Sequence, residues 1–128
     1  MRRSGMRGTA PFVPQRWTMA ALFAIFLVIH GLIHLLGFMK AFHLAELPQL
    51  TQSISPQIGL IWLTAAFLFV AAAGGLFQWP RAWWAIAAAA LGFSMAAIIP
   101  SWTDAKFGAL ANALVVLGGI FLATSRNQ

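Results

Sequence analysis

Four apolar runs divide the chain, from Trp17 to Met39, Gln57 to Phe77, Arg81 to Ile99 and Asp104 to Ala123. Each comes close to the roughly 20 residues that a helix rising ~1.5 Å per residue needs to cross a ~30 Å hydrocarbon slab. Polar or proline-containing segments separate them. The pattern predicts an all-α fold, an integral membrane four-helix bundle with helices at about 17–39, 57–77, 81–99 and 104–123. One domain covers 17–124, between a basic flexible tail at 1–16 and a polar tail at 125–128.

The punctuation supports these limits. Ser55 can cap the second helix, with Pro56 at its first position, where the missing N–H costs nothing. Gln78-Trp79-Pro80-Arg81 reads as a tight turn. Pro100 should end the third helix, and Ser101 with Asp104 three residues on has the spacing of a capping box for the fourth. Residues 40–56 form the longest connection, an extracytoplasmic amphipathic loop that mixes Phe42, Leu44, Leu47 and Leu50 with Lys40, His43, Glu46 and Gln49. It reads as an ordinary surface loop or, alternatively, as a short interfacial helix capping the bundle mouth. The first run is longer than the core of a signal peptide and reads as a retained helix, with a signal function as the alternative.

Composition agrees with a bilayer setting. Hydrophobic residues make up 61% of the 128 and charged residues 8%. A soluble domain carries roughly 25% charged residues. The absence of cysteine removes disulfides, thiolate chemistry and covalent c-type haem, and the absence of tyrosine removes tyrosyl radical chemistry.

Charge orients the bundle. The net charge of +6 comes from eight basic residues against two acids. The basic residues flank apolar runs and form no stripe with interleaved aromatics, so no nucleic acid is expected as partner. With the N-terminus inside, Arg2, Arg3, Arg7, Arg16, Arg81 and Arg126 fall on the cytoplasmic side. Lys40 and Lys106, with both acids Glu46 and Asp104, fall opposite. The positive-inside rule therefore predicts a multi-pass protein with cytoplasmic N- and C-termini.

Inside the first run, His30 and His34 are four residues apart and share one helical face. Polar groups are costly in hydrocarbon, so they are the first candidates for a function. Both lie in the outer half of the membrane, roughly 15 Å and 9 Å below Lys40 by helical rise. On the fourth helix Asp104, Gly108, Ala111, Val115 and Gly119 form a stripe, with Asn112 at its edge. If that stripe faces the histidines, His30, His34, Asp104 and Asn112 line a polar pocket opening outward. Lys40, His43, Glu46 and Lys106 then form its rim, and Ser94 and Met95 add to it from the third helix.

Several chemistries fit such a set. His30, His34 and Asp104 are candidate ligands for a transition metal. Gly31 stands where a zinc hydrolase motif needs Glu. Two histidines at this spacing cannot take opposite axial places on one haem iron, so a bis-histidine haem needs His43 or a second subunit. A quinone or lipid headgroup could hydrogen-bond His34 and Asp104 without metal. The plain structural alternative is interhelical hydrogen bonding, with Asp104 as a helix cap. No catalytic role can be assigned to any residue.

The segment from Gly31 to Lys40, running into GFMKAF, resembles the DoxX-like group of small bacterial membrane proteins, chiefly at Gly31, Gly37 and Lys40. The wider pattern HGLIHLLGFMKAF, LAELPQLTQ and SWTDAKFGALAN resembles a family of uncharacterised small four-helix bacterial inner-membrane proteins. The positions that carry it are His30, His34, Lys40, Glu46, Pro48, Trp102, Asp104, Lys106, Phe107 and Asn112. The resemblance implies location in the bacterial inner (plasma) membrane and transfers no activity. The association of DoxX-like proteins with redox or stress complexes implies an accessory subunit.

The leading expectation is a ligand- or lipid-binding accessory subunit, packed as a homo-oligomer or within a larger membrane complex. A membrane redox protein or enzyme with haem, quinone or metal at His30 and His34 is the alternative, and a small transporter or channel subunit a third.

Overall fold

The computed structural model describes residues 14–126. Arg2, Arg3 and Arg7 of the expected basic tail, and Asn127 and Gln128, lie outside the described residues. Helix α1 spans Gln15–Ala41, α2 Pro56–Gln78, α3 Trp83–Ile98 and α4 Trp102–Ser125, with a 3₁₀ turn, Ile99–Ser101, between the last two.

The expected four-helix membrane bundle needs correction. Three helical stretches are long and apolar enough to cross a membrane: Gln15–Ala41, Pro56–Gln78 and the continuous stretch Trp83–Ser125. Helix α3 alone has 16 residues, about 24 Å at 1.5 Å per residue, short of a ~30 Å slab. Pro100 does not stop the helical path. It occupies an early position of the 3₁₀ turn, and the backbone at Ile99 and Trp102 stays right-handed helical. Ser101 makes no capping hydrogen bond. Asp104 has turned to another partner: its Oδ1 accepts from Thr51 Oγ1 and its Oδ2 from Gln52 N, both at 2.7 Å. The third stretch is thus a single helical path folded back at Ile99–Ser101, and α4 returns along α3 until Ser94 meets Asn112.

Helices α1 and α2 pack along their length, as do α2 and α3, whereas α4 touches α1 and α3 sparsely. Close packing of the first pair needs small residues. A Cβ built on Gly37 would sit 2.1 Å from Trp62 Cδ2, and one on Gly31 would meet the Ala66 carbonyl oxygen at 3.0 Å. Leu27, Phe69, Ala72, Ala90 and Val115 form the centre of the core. Helix α4 buries just Asn112, Val115 and Leu122. Its other large side chains, among them Phe107, Leu110, Leu114 and Leu117, face outward, as lipid contact requires.

At one end Trp17 stacks on Phe77 with ring centroids 6.5 Å apart. There Arg126 Nη1 donates to the Pro80 carbonyl at 3.1 Å and Nη2 to the Leu76 carbonyl at 3.3 Å. The start of α1 and the end of α4 therefore share that end. Trp79 and Trp84 are exposed near this end, while Trp83 turns inward against Phe23.

At the other end α1 closes in a Schellman arrangement. Leu44 N donates to the Met39 carbonyl at 2.9 Å and His43 N to the Lys40 carbonyl at 3.2 Å. His43 takes the left-handed conformation, φ 54°, that this cap demands and that glycine usually supplies. The segment that follows is an irregular loop without helix. Ser55 then accepts from Ile58 N at 3.3 Å and α2 begins.

Candidate functional site

The i,i+4 spacing puts both imidazoles on the face of α1 turned toward the centre. His30 is 3% exposed and His34 1%. Phe69 abuts both rings, at 4.6 Å and 5.4 Å between centroids. Trp62 lies 5.1 Å from His34.

Four polar side chains from three helices meet there. His34 Nδ1 is 2.9 Å from the His30 carbonyl oxygen, and its Nε2 is 2.8 Å from Ser94 Oγ. Asn112 Nδ2 is 2.9 Å from Ser94 Oγ. Asn112 Oδ1 is 2.9 Å from His30 Nε2. A carbonyl can only accept, so His34 carries its proton on Nδ1 and donates there. Its Nε2 must then accept from the Ser94 hydroxyl. That hydroxyl has one proton, so its 3.1 Å approach to Asn112 Oδ1 is not a second donation. The Asn112 amide N–H donates to Ser94 instead, which leaves its oxygen to accept from His30 Nε2–H. Every bond in the chain is satisfied with both imidazoles neutral. Such a network replaces the cost of isolated buried polar groups and joins α1, α3 and α4.

Above the network, a cleft of about 320 Å³ separates α1 from α4. His30 and His34 lie at its base, Ile33, Trp62, Ile98 and Phe107 in its walls, and Gln49, Leu50 and Asp104 at its mouth. The walls are mostly apolar. Trp62 carries a buried indole N–H with no hydrogen-bond partner, and Gln52 a buried carbonyl oxygen in the same condition.

His30, His34 and Asn112 are therefore brought into direct contact. Asp104 is not: its carboxylate holds the loop and makes no hydrogen bond to either imidazole. Among the described residues no group of three or more His, Cys, Asp or Glu is placed to hold a metal ion. Of the ring nitrogens of His30 and His34, His30 Nδ1 is the one without a hydrogen-bond partner among the described residues. Of the expected rim, Lys40, His43 and Glu46 line a separate open recess with Leu44 and Pro48. Lys106 Nζ lies over the Phe107 ring at 5.7 Å.

Two further contributors stand out, Ser94, expected at the edge of the pocket, and Trp62, which was not expected there. Ser94 is the hinge of the network. Its signal was its isolation, since no other hydrogen-bonding side chain lies between Ala85 and Ile99, and a lone polar group in an apolar helix turns inward. Trp62 has no comparable signal. Gly108 lines the cleft with the histidines and lies close against Ile98.

Comparison with protein-family models, curated proteins and solved structures found no match.

Proposed function

We propose that the α1–α4 cleft binds a lipid-soluble molecule bearing an acceptor oxygen, such as a quinone or a lipid headgroup carbonyl. On this reading the chain is a non-enzymatic accessory subunit of a larger assembly in the bacterial inner membrane. The carrying observation is the cleft itself: an apolar cavity large enough for a small organic ligand, above a polar base, between two helices that pack sparsely. The unpartnered Trp62 indole N–H in its wall supports an acceptor on the ligand. The small size of the chain supports an accessory role.

The same reading places both chain ends in the cytoplasm. Arg16, Arg81 and Arg126 gather at the end shared by the start of α1 and the end of α4. Lys40, Lys106 and both acids lie opposite, as the positive-inside rule prefers.

The test is extraction and mass spectrometry of lipids and quinones retained by the detergent-purified protein, against an Ala111→Phe variant that fills the cleft. At least a tenfold loss of one retained species, with little change in melting temperature, is expected. Identical retained contents would remove the proposal. An absorption spectrum of the same sample reports haem directly.

A further inference from the structure

A second cleft, of about 480 Å³, opens between α3 and α4 on the side away from the histidines. Its walls are Trp83, Ala87, Leu91, Val115 and Ile120, and Arg126 and Pro80 stand at its end. Arg126 and Pro80 also border a smaller recess, of about 250 Å³, that includes Arg16 and Trp17. Arg126 thus sits between two apolar hollows.

Its guanidinium is held in place by the carbonyls of Pro80 and Leu76. Two of its five N–H donors are used by those bonds, which leaves three. No acidic side chain can pair with it, because the chain has two acids, Glu46 and Asp104, and both lie at the opposite end. Arg16 and Arg81 are at the Arg126 end and add to the uncompensated charge. An apolar slot that ends in an immobilised guanidinium, with no carboxylate beside it among the described residues, has the chemistry of an anionic amphiphile site.

We propose that this cleft holds an acyl chain of an anionic glycerophospholipid, whose phosphate accepts the remaining donors of Arg126 with Arg16 alongside. Arg81 is exposed and lines neither hollow, so it contributes general attraction to the membrane surface and not the site.

The site is separate from the α1–α4 cleft, and its test is independent. Native mass spectrometry of the full chain in detergent compares retention of phosphatidylglycerol with phosphatidylcholine of the same acyl chains, with inorganic phosphate as a third arm. At least a tenfold preference for phosphatidylglycerol is expected, with no retained phosphate. Arg126→Gln should bring the preference within about twofold, Arg126→Lys should restore part of it, and Arg81→Gln should leave it unchanged. Because Arg126 also ties α4 to α2, a second variant avoids its carbonyl contacts. A Cβ on Gly119 meets Trp83 Cη2 at 3.4 Å, an ordinary contact, so Gly119→Leu fills the cleft and should abolish phosphatidylglycerol retention with the charge intact. Equal retention of the two lipids, equal losses in Arg81→Gln and Arg126→Gln, or full retention in Gly119→Leu would each overturn the proposal. So would a change in oligomeric state in Gly119→Leu without loss of lipid, since the cleft would then belong to a second copy of the chain.

Discussion

His34 Nδ1 donates to the carbonyl oxygen of His30 at 2.9 Å, and this contact sets the direction of every other hydrogen bond in the buried network. The carbonyl accepts and cannot donate, so the tautomer of His34 is determined, then the Ser94 hydroxyl, then the Asn112 amide, then His30. Proton positions at the centre of the molecule follow from one backbone atom.

The network should behave as a unit. Asn112→Ala removes the acceptor for His30 and a donor to Ser94, and should cost about 1–3 kcal/mol, the scale of an unsatisfied buried group. Ser94→Ala should cost a similar amount. The double variant should be less damaging than the sum of the two, with coupling of about 0.5 kcal/mol or more. Reversible unfolding in mixed micelles measures all three, and strict additivity would show that the contacts are independent.

Gly37 and Gly92 make opposing cases. A Cβ on Gly37 collides with the Trp62 ring, whereas one on Gly92 meets nothing within 4 Å. Gly37→Ala should separate α1 from α2 and lower the melting temperature markedly. Gly92→Ala should be neutral or stabilising by up to about 1 kcal/mol through helix propensity. Thermal unfolding of the pair in one detergent checks the contrast.

His43 holds a left-handed backbone at the end of α1. That conformation costs a non-glycine residue about 1–2 kcal/mol. His43→Gly should therefore leave α1 intact and raise the melting temperature slightly, and His43→Val should lower it. If His43→Gly is instead destabilising, the imidazole contributes something beyond the cap.

Asp104 secures the loop. With Asp104→Asn the amide must offer one oxygen where the carboxylate offered two, so the bonds to Thr51 and Gln52 cannot both persist unchanged. Hydrogen exchange around Gln52 should accelerate while the helices stay protected. Unaltered exchange there would mean that the loop is held by its apolar side chains.

Orientation can be read directly because the chain has no cysteine. Ser125→Cys should be shielded from a membrane-impermeant maleimide added to intact cells, and Leu44→Cys should react. The opposite pattern would invert the proposed topology.

The apolar runs are legible because a membrane helix is written as a long stretch nearly free of charge. The joint between α3 and α4 is not. Proline is as much at home in a first helical turn as after a last one, and the Ser101–Asp104 spacing describes a cap that never forms. Asp104 is taken by a residue 52 positions away, a competition that local spacing cannot express. The site divides the same way. The shared face of His30 and His34 follows from their spacing, and the depth of Asn112 from helical rise. The place of Trp62 depends on Gly37 facing α2, which is known only once the helices are assembled.

The thin attachment of α4 sets an order of events during synthesis. The segment leaves the ribosome after α1, α2 and α3, and until it arrives His30 has no amide to meet and Ser94 lacks one of its neighbours. An incomplete molecule therefore carries an unmet imidazole donor at its centre, while the Ser94 hydroxyl already has His34 to bond.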